Sequence, residues 1–151
     1  NLISIDFPLH KLERFLKNIE LNLKKTSSLF YLSIVIPVLY RQHFYGINLN
    51  DEFIKHISQW ANIFGIVFQY SDDMLDIKQD LLKEKPNITN ILSPKIVDQF
   101  IKNGIKMLSR EYSIIHDTLN EYYQYINLFY PNITVSIISQ ILDLVKDKIG
   151  I

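Results

Sequence analysis

Residues 51–79 read DEFIKHISQWANIFGIVFQYSDDMLDIKQ, and the spacing in this stretch decides the fold class. Phe53, Ile57, Trp60, Ile63, Phe64, Val67, Phe68 and Leu75 recur every three or four positions, the period of a helix with one apolar face. Asn50 or Asp51 is suited to cap its N-terminus, and Glu52 in the first turn complements the helix dipole. Upstream, Leu9, Leu12, Phe15, Leu16, Ile19 and Leu23 repeat the same spacing. A second helix is predicted from Lys24 to about Tyr40, apolar on nearly every side, which places it in an interior; Pro37 should kink it or mark its last turn. The polar stretch from Arg41 to Asn50 reads as a connection.

Downstream, Lys83 to Ser93 is predicted to be a polar loop, and Ser93-Pro94 forms a good cap and first position for a further helix. Ile96, Val97, Phe100, Ile101, Ile105 and Leu108 give that helix its face. Tyr112 to Tyr130 makes a fifth, aromatic-rich segment ended by Pro131, and Thr134 to Ile149 makes the last, with Gly150 as its stop. Gly 4 and Pro 5 in 151 residues are too few for the frequent turns of an all-β chain. There is no linker, repeat or low-complexity tract, so residues 1–151 read as one all-α domain or half-domain.

Composition narrows the function classes. Lys+Arg 16 balances Asp+Glu 16, so no global field favours nucleic acid or an anionic membrane. Cysteine is absent, which excludes disulfides and thiol chemistry. The densest apolar run, Leu29 to Tyr40, is shorter than the roughly 20 residues of a spanning helix and contains Pro37. No secretory signal is recognisable, which points to the cytoplasm, or to an organelle after removal of a transit segment. The opening at Asn1 without an initiator Met is the expectation for a processed product or a piece of something longer.

The chemistry concentrates in Gly65-Ile66-Val67-Phe68-Gln69-Tyr70-Ser71-Asp72-Asp73-Met74-Leu75-Asp76. Asp72 and Asp76 lie four apart, so their carboxylates share one helix face, whereas Asp73 is rotated by about 100°. Two carboxylates so close repel each other, and a hard divalent cation, Mg²⁺ or Mn²⁺, is the natural partner for oxygen ligands. A solvated acidic patch at a helix end is the competing reading. Far upstream, Lys25-Thr26 opens the apolar helix and could present a cation and a hydroxyl at the edge of a cavity.

The run Ala61-x-x-x-Gly65-x-x-Phe68-Gln69-x-x-Asp72-Asp73-x-Leu75-Asp76 resembles the second aspartate-rich motif of the trans-isoprenyl diphosphate synthases, the polyprenyl synthetase family. Lys25-Thr26-x-x-Leu29-Phe30 resembles that family's Lys-Thr motif at a similar separation, and Asn127 to Ile151 has the look of its closing helices. The resemblance runs from about Ile19 onward. It implies the C-terminal half of an isoprenoid-synthase-type helical bundle around an apolar cavity, condensing an allylic diphosphate with isopentenyl diphosphate in a Mg²⁺-dependent reaction. By the same resemblance Asp72 would be a direct metal ligand, with Asp76 and Asp73 supporting it directly or through water. Lys25 would contact the allylic diphosphate, Thr26 would place oxygen near the developing carbocation, and Phe68 and Gln69 would border the tail and the diphosphate. Lys85, before Pro86, resembles a later diphosphate-binding lysine. The metal and lysines would neutralise the leaving group, and a closed apolar cavity would keep water from the cation.

Departures qualify this. Glu84 stands where the family's loop usually has Gly, and Asn90 where Asp is usual. A first aspartate-rich motif and the basic residues that bind isopentenyl diphosphate are not in the chain, so catalysis would require an N-terminal half or a partner synthase chain. The alternative is a non-catalytic small or regulatory subunit of such a synthase. A homo- or hetero-oligomer is expected in either case, with the Leu9–Leu23 face as a candidate interface.

The remaining features have plainer readings. His10, His43, His56 and His116 lack ligand spacing. Asn87-Ile88-Thr89 and Asn132-Ile133-Thr134 match the glycosylation pattern by chance. The aromatics from Tyr112 to Tyr130 read as helix packing, and Asp143 and Asp147 as a solvated face.

Overall fold

A computed structural model describes residues 8–46, 50–126 and 133–150, and every regular element among them is helical. Helix α1 (Leu9–Asn22) passes without a break into a π-helical turn (Leu23–Ser27) and on into α2 (Ser28–Tyr45). The backbone stays right-handed at both junctions, with φ −60°, ψ −42° at Leu23 and φ −62°, ψ −37° at Ser28. Residues 9–45 are therefore one rod with a single wider turn. Gly46 ends it in the left-handed conformation, φ 65°, which glycine adopts without a Cβ clash.

Helix α3 (Asp51–Leu75) begins as its sequence predicts. The Asn50 side chain accepts from the Phe53 N–H at 2.9 Å, and Asp51 and Glu52 occupy the first turn. It stops at Asp76, whose φ −97°, ψ 9° leaves the helical region, and α4 (Ile77–Leu82) follows at once. After a short 3₁₀ turn at Ile88–Asn90 come α5 (Pro94–Ile126) and α6 (Ile133–Ile149), the latter stopped by Gly150 at φ 70°.

The rod packs antiparallel on α3: Asn18 meets Tyr70, Ser27 lies against Gly65, and Phe30 lies edge-on to Phe64 and Phe68. Helix α5 packs antiparallel against α3 as well, pairing Tyr70 with Phe100, Val67 with Gly104, and His56 with Glu111. Between them Phe53, Ile57, Trp60, Val97, Leu108 and Ile115 are fully enclosed. Close approach is set by two glycines. A Cβ on Gly65 would run into the Ser27 side chain and lie 2.8 Å from its Cα, and one on Gly104 would meet the Val67 methyl.

Several expectations are corrected. The second helix continues to Tyr45 through Pro37, which sits on an exposed face where water can serve the carbonyl its missing N–H leaves at Ser33. That helix is not enclosed on all sides: Ile34, Val35 and Val38 are buried, but Leu29, Leu32, Ile36, Leu39, Tyr40 and Phe44 are exposed. The third helix ends at Leu75 rather than Gln79, because the backbone turns at Asp76. The fourth and fifth segments are one helix, since nothing between Leu108 and Tyr112 breaks it. The side chains of Tyr122, Tyr123 and Tyr125, and all of Phe129 and Tyr130, lie outside the described residues, as does Asn132. No helix among the described residues is long and apolar enough to cross a membrane.

Candidate functional site

Phe64, Phe68 and Asp72 follow one another at four-residue steps along α3 and so form one stripe. Phe30 packs against both rings, with centroids 4.3 Å from Phe64 and 5.9 Å from Phe68. Together with Ile141, Leu144, Val145 and Asp147 of α6, these three rings line a cleft of ≈ 600 Å³. Thr26 lies one turn before Phe30, and Asp72 one turn after Phe68. Because the two helices are antiparallel, both steps lead towards the same end of the bundle. Thr26 is half-buried and Lys25 beside it is exposed; both sit in the π-helical turn. Such wider turns are rare within helices and are found often at functional sites. This one is anchored: Ser27 Oγ donates to the Asn62 carbonyl at 3.2 Å and Ser28 Oγ to the Leu23 carbonyl at 2.9 Å.

The acidic end of α3 divides its carboxylates between two tasks. Asp73 is only 8% exposed. One of its oxygens accepts from the Ile88 N–H at 2.8 Å and the other from Gln69 Nε2 at 3.0 Å. Its backbone carbonyl accepts from Asn87 Nδ2 at 2.7 Å, and that amide also donates to Asp80 at 2.9 Å. Burial pushes the Asp73 carboxyl above the usual carboxylate range, against the lowering effect of the Ile88 and Gln69 hydrogen bonds; Asp80 and Asp72 add to the upward push. Asp73 and Gln69 are thus engaged with each other and with the 87–88 loop. Asn87 is buried and fully engaged, so the Asn87-Ile88-Thr89 pattern offers no accessible glycosylation site.

Asp72 and Asp76 remain half-exposed. Asp76 stands at the start of α4 without capping it through its side chain. Among the described residues no group of three or more His, Asp or Glu side chains is assembled around a common point that could hold a metal ion. With only two half-exposed carboxylates at this helix end, the donors present make no all-protein cage, and a hard cation held there would have to take its remaining ligands from water or phosphate. Lys85 is exposed on the turn after α4, where its N–H donates to the Asp80 carbonyl at 2.9 Å, and so lies beyond the acidic end of α3.

Three features of the site were not read from the sequence. Asp147, expected to be merely solvated, also lines the cleft. Asn87 and Asp80 buttress Asp73 from the following loop. A buried polar cluster joins α1 to α3, in which Tyr70 Oη donates to Asn18 Oδ1 at 3.2 Å and Asn22 Nδ2 to the same oxygen at 3.1 Å. No protein-family model, curated protein or solved structure matches the chain.

Proposed function

We propose that the chain is the diphosphate- and metal-binding half of a trans-prenyltransferase, acting with a first aspartate-rich half supplied outside these 151 residues. The observation that carries this reading is the shared placement of Thr26 and Asp72, each one turn from the Phe30–Phe68 contact and towards the same end of the aromatic cleft. In this reading Asp72 and Asp76 hold Mg²⁺, which supplies charge neutralisation for the leaving diphosphate. Lys25 and Lys85 supply further positive charge, and Thr26 sits where a developing cation needs an oxygen. The apolar tail lies along Phe68, Phe64 and Phe30, where water is displaced. Asp73 and Gln69 shape the site from behind by fixing the 87–88 loop.

The test is calorimetric titration of the chain with an allylic diphosphate, with and without Mg²⁺. Binding that requires Mg²⁺ and is lost in Asp72→Ala is the expected result; binding indifferent to Mg²⁺ overturns the metal assignment. Turnover on adding a first-motif half separates an enzyme half from a non-catalytic subunit, which would bind the partner without completing a site.

A further inference from the structure

The cleft has a second property that metal and diphosphate do not use. Its aromatic wall is Phe30, Phe64 and Phe68, and the one charged residue among the described lining residues is Asp147. Lys146, its neighbour in sequence, is not among the lining residues. Aromatic faces attract cations through the ring quadrupole, and a carboxylate beside them adds a direct ionic partner. The apolar surface rewards a hydrocarbon tail. An ammonium head on such a tail satisfies all three, while an anionic head would face Asp147 without compensation.

We propose that this cleft binds a cationic amphiphile, an alkyl amine or quaternary ammonium compound, with its tail on the three phenylalanines and its head beside Asp147. The site uses the cleft of the preceding reading but neither Mg²⁺ nor diphosphate. The chain also carries its own reporter. Trp60 is the single tryptophan, fully buried, and stacks on Phe64 at 5.1 Å with the planes 6° apart. A ligand that presses on Phe30 or Phe68 and so shifts the Phe64 ring alters the surroundings of that indole.

The experiment titrates the metal-free chain in excess EDTA with octyltrimethylammonium, octanol and octyl sulfate below their micellar concentrations, following Trp60 emission and heat. The cationic compound is expected to bind about tenfold more tightly than the neutral one, with the sulfate weakest. Asp147→Asn, at an exposed position and checked for an unchanged fold by circular dichroism, should cut the preference for the cation severalfold without weakening the alcohol. Phe68→Ala should weaken all three. Equal affinity for the three heads, or a preference for the ammonium that Asp147→Asn leaves undiminished, overturns the proposal. Because magnesium is absent throughout, either result leaves the Mg²⁺-dependent diphosphate titration to stand or fall separately.

Discussion

A carboxylate drawn inside a protein has to be held by donors, and at Asp73 they come from its own helix and from a loop fifteen residues further along. Removing it in Asp73→Ala leaves the Ile88 N–H without its acceptor, and a loss of about 1–3 kcal/mol in urea unfolding is expected. The pH dependence has a definite sign. The folded carboxyl titrates above its unfolded value near 3.8, so the folded state disfavours its ionisation. Its contribution is present in full below that value and is lost as the pH rises through the higher folded one. The stability difference between the parent and Asp73→Asn should therefore shift against the parent as pH rises from about 4; a pH-independent difference in urea midpoints would contradict this. Gly65→Ala is a sharper lesion. Its methyl would press on Ser27 Oγ, Cα and N, and overpacking of this kind costs about 1–3 kcal/mol. The acidic motif was legible as a motif, and the 100° rotation of Asp73 away from Asp72 was legible too. The use of that rotation to tie down Ile88 was not, because it depends on where a distant loop returns.

Among the elements, α2 departs furthest from what its composition suggests. A helix apolar all round looks like a core helix when only periodicity is read. Yet Ile34 is 3% exposed while Ile36, two residues on, is 58% exposed. The two positions should respond oppositely to change. Ile34→Ala is expected to cost about 2–4 kcal/mol through the cavity it leaves. Ile36→Glu should stay within about 0.5 kcal/mol of the parent in the same denaturation experiment. The boundary of α3 teaches a related point: apolar spacing carries on past Leu75, but the backbone leaves the helical region at Asp76, one turn after a carbonyl, that of Asp73, which accepts from Asn87 of the following loop. Helices α3 and α5 are further joined by His56 Nδ1 and Glu111 Oε2 at 2.6 Å, both largely shielded. A double-mutant cycle on this pair should give a coupling of about 1 kcal/mol. Neither residue signalled the other in the sequence, since they are 55 positions apart.

For the whole molecule, the all-helical architecture and the stop at Gly150 follow from spacing and punctuation alone. The assembly of those helices does not, because it rests on two absent side chains, at Gly65 and Gly104, and on which faces they bring together. The aromatic cleft exists only once α6 lies across Phe30, Phe64 and Phe68, and α6 is separated from those residues by the entire length of α5. That is also why Asp147 escaped notice as a lining residue.

The π-helical turn between Leu23 and Ser27 behaves like an extra tooth in a gear. Everything after it is rotated by one residue relative to everything before it, so that Asn18 can address Tyr70 while Phe30 still reaches Phe64. Deleting one residue there would restore an ordinary helix and turn the following eighteen-residue segment by about 100° about its own axis. Phe30 would then swing off the aromatic wall, so a single lost codon would undo the cleft with no other change to the sequence.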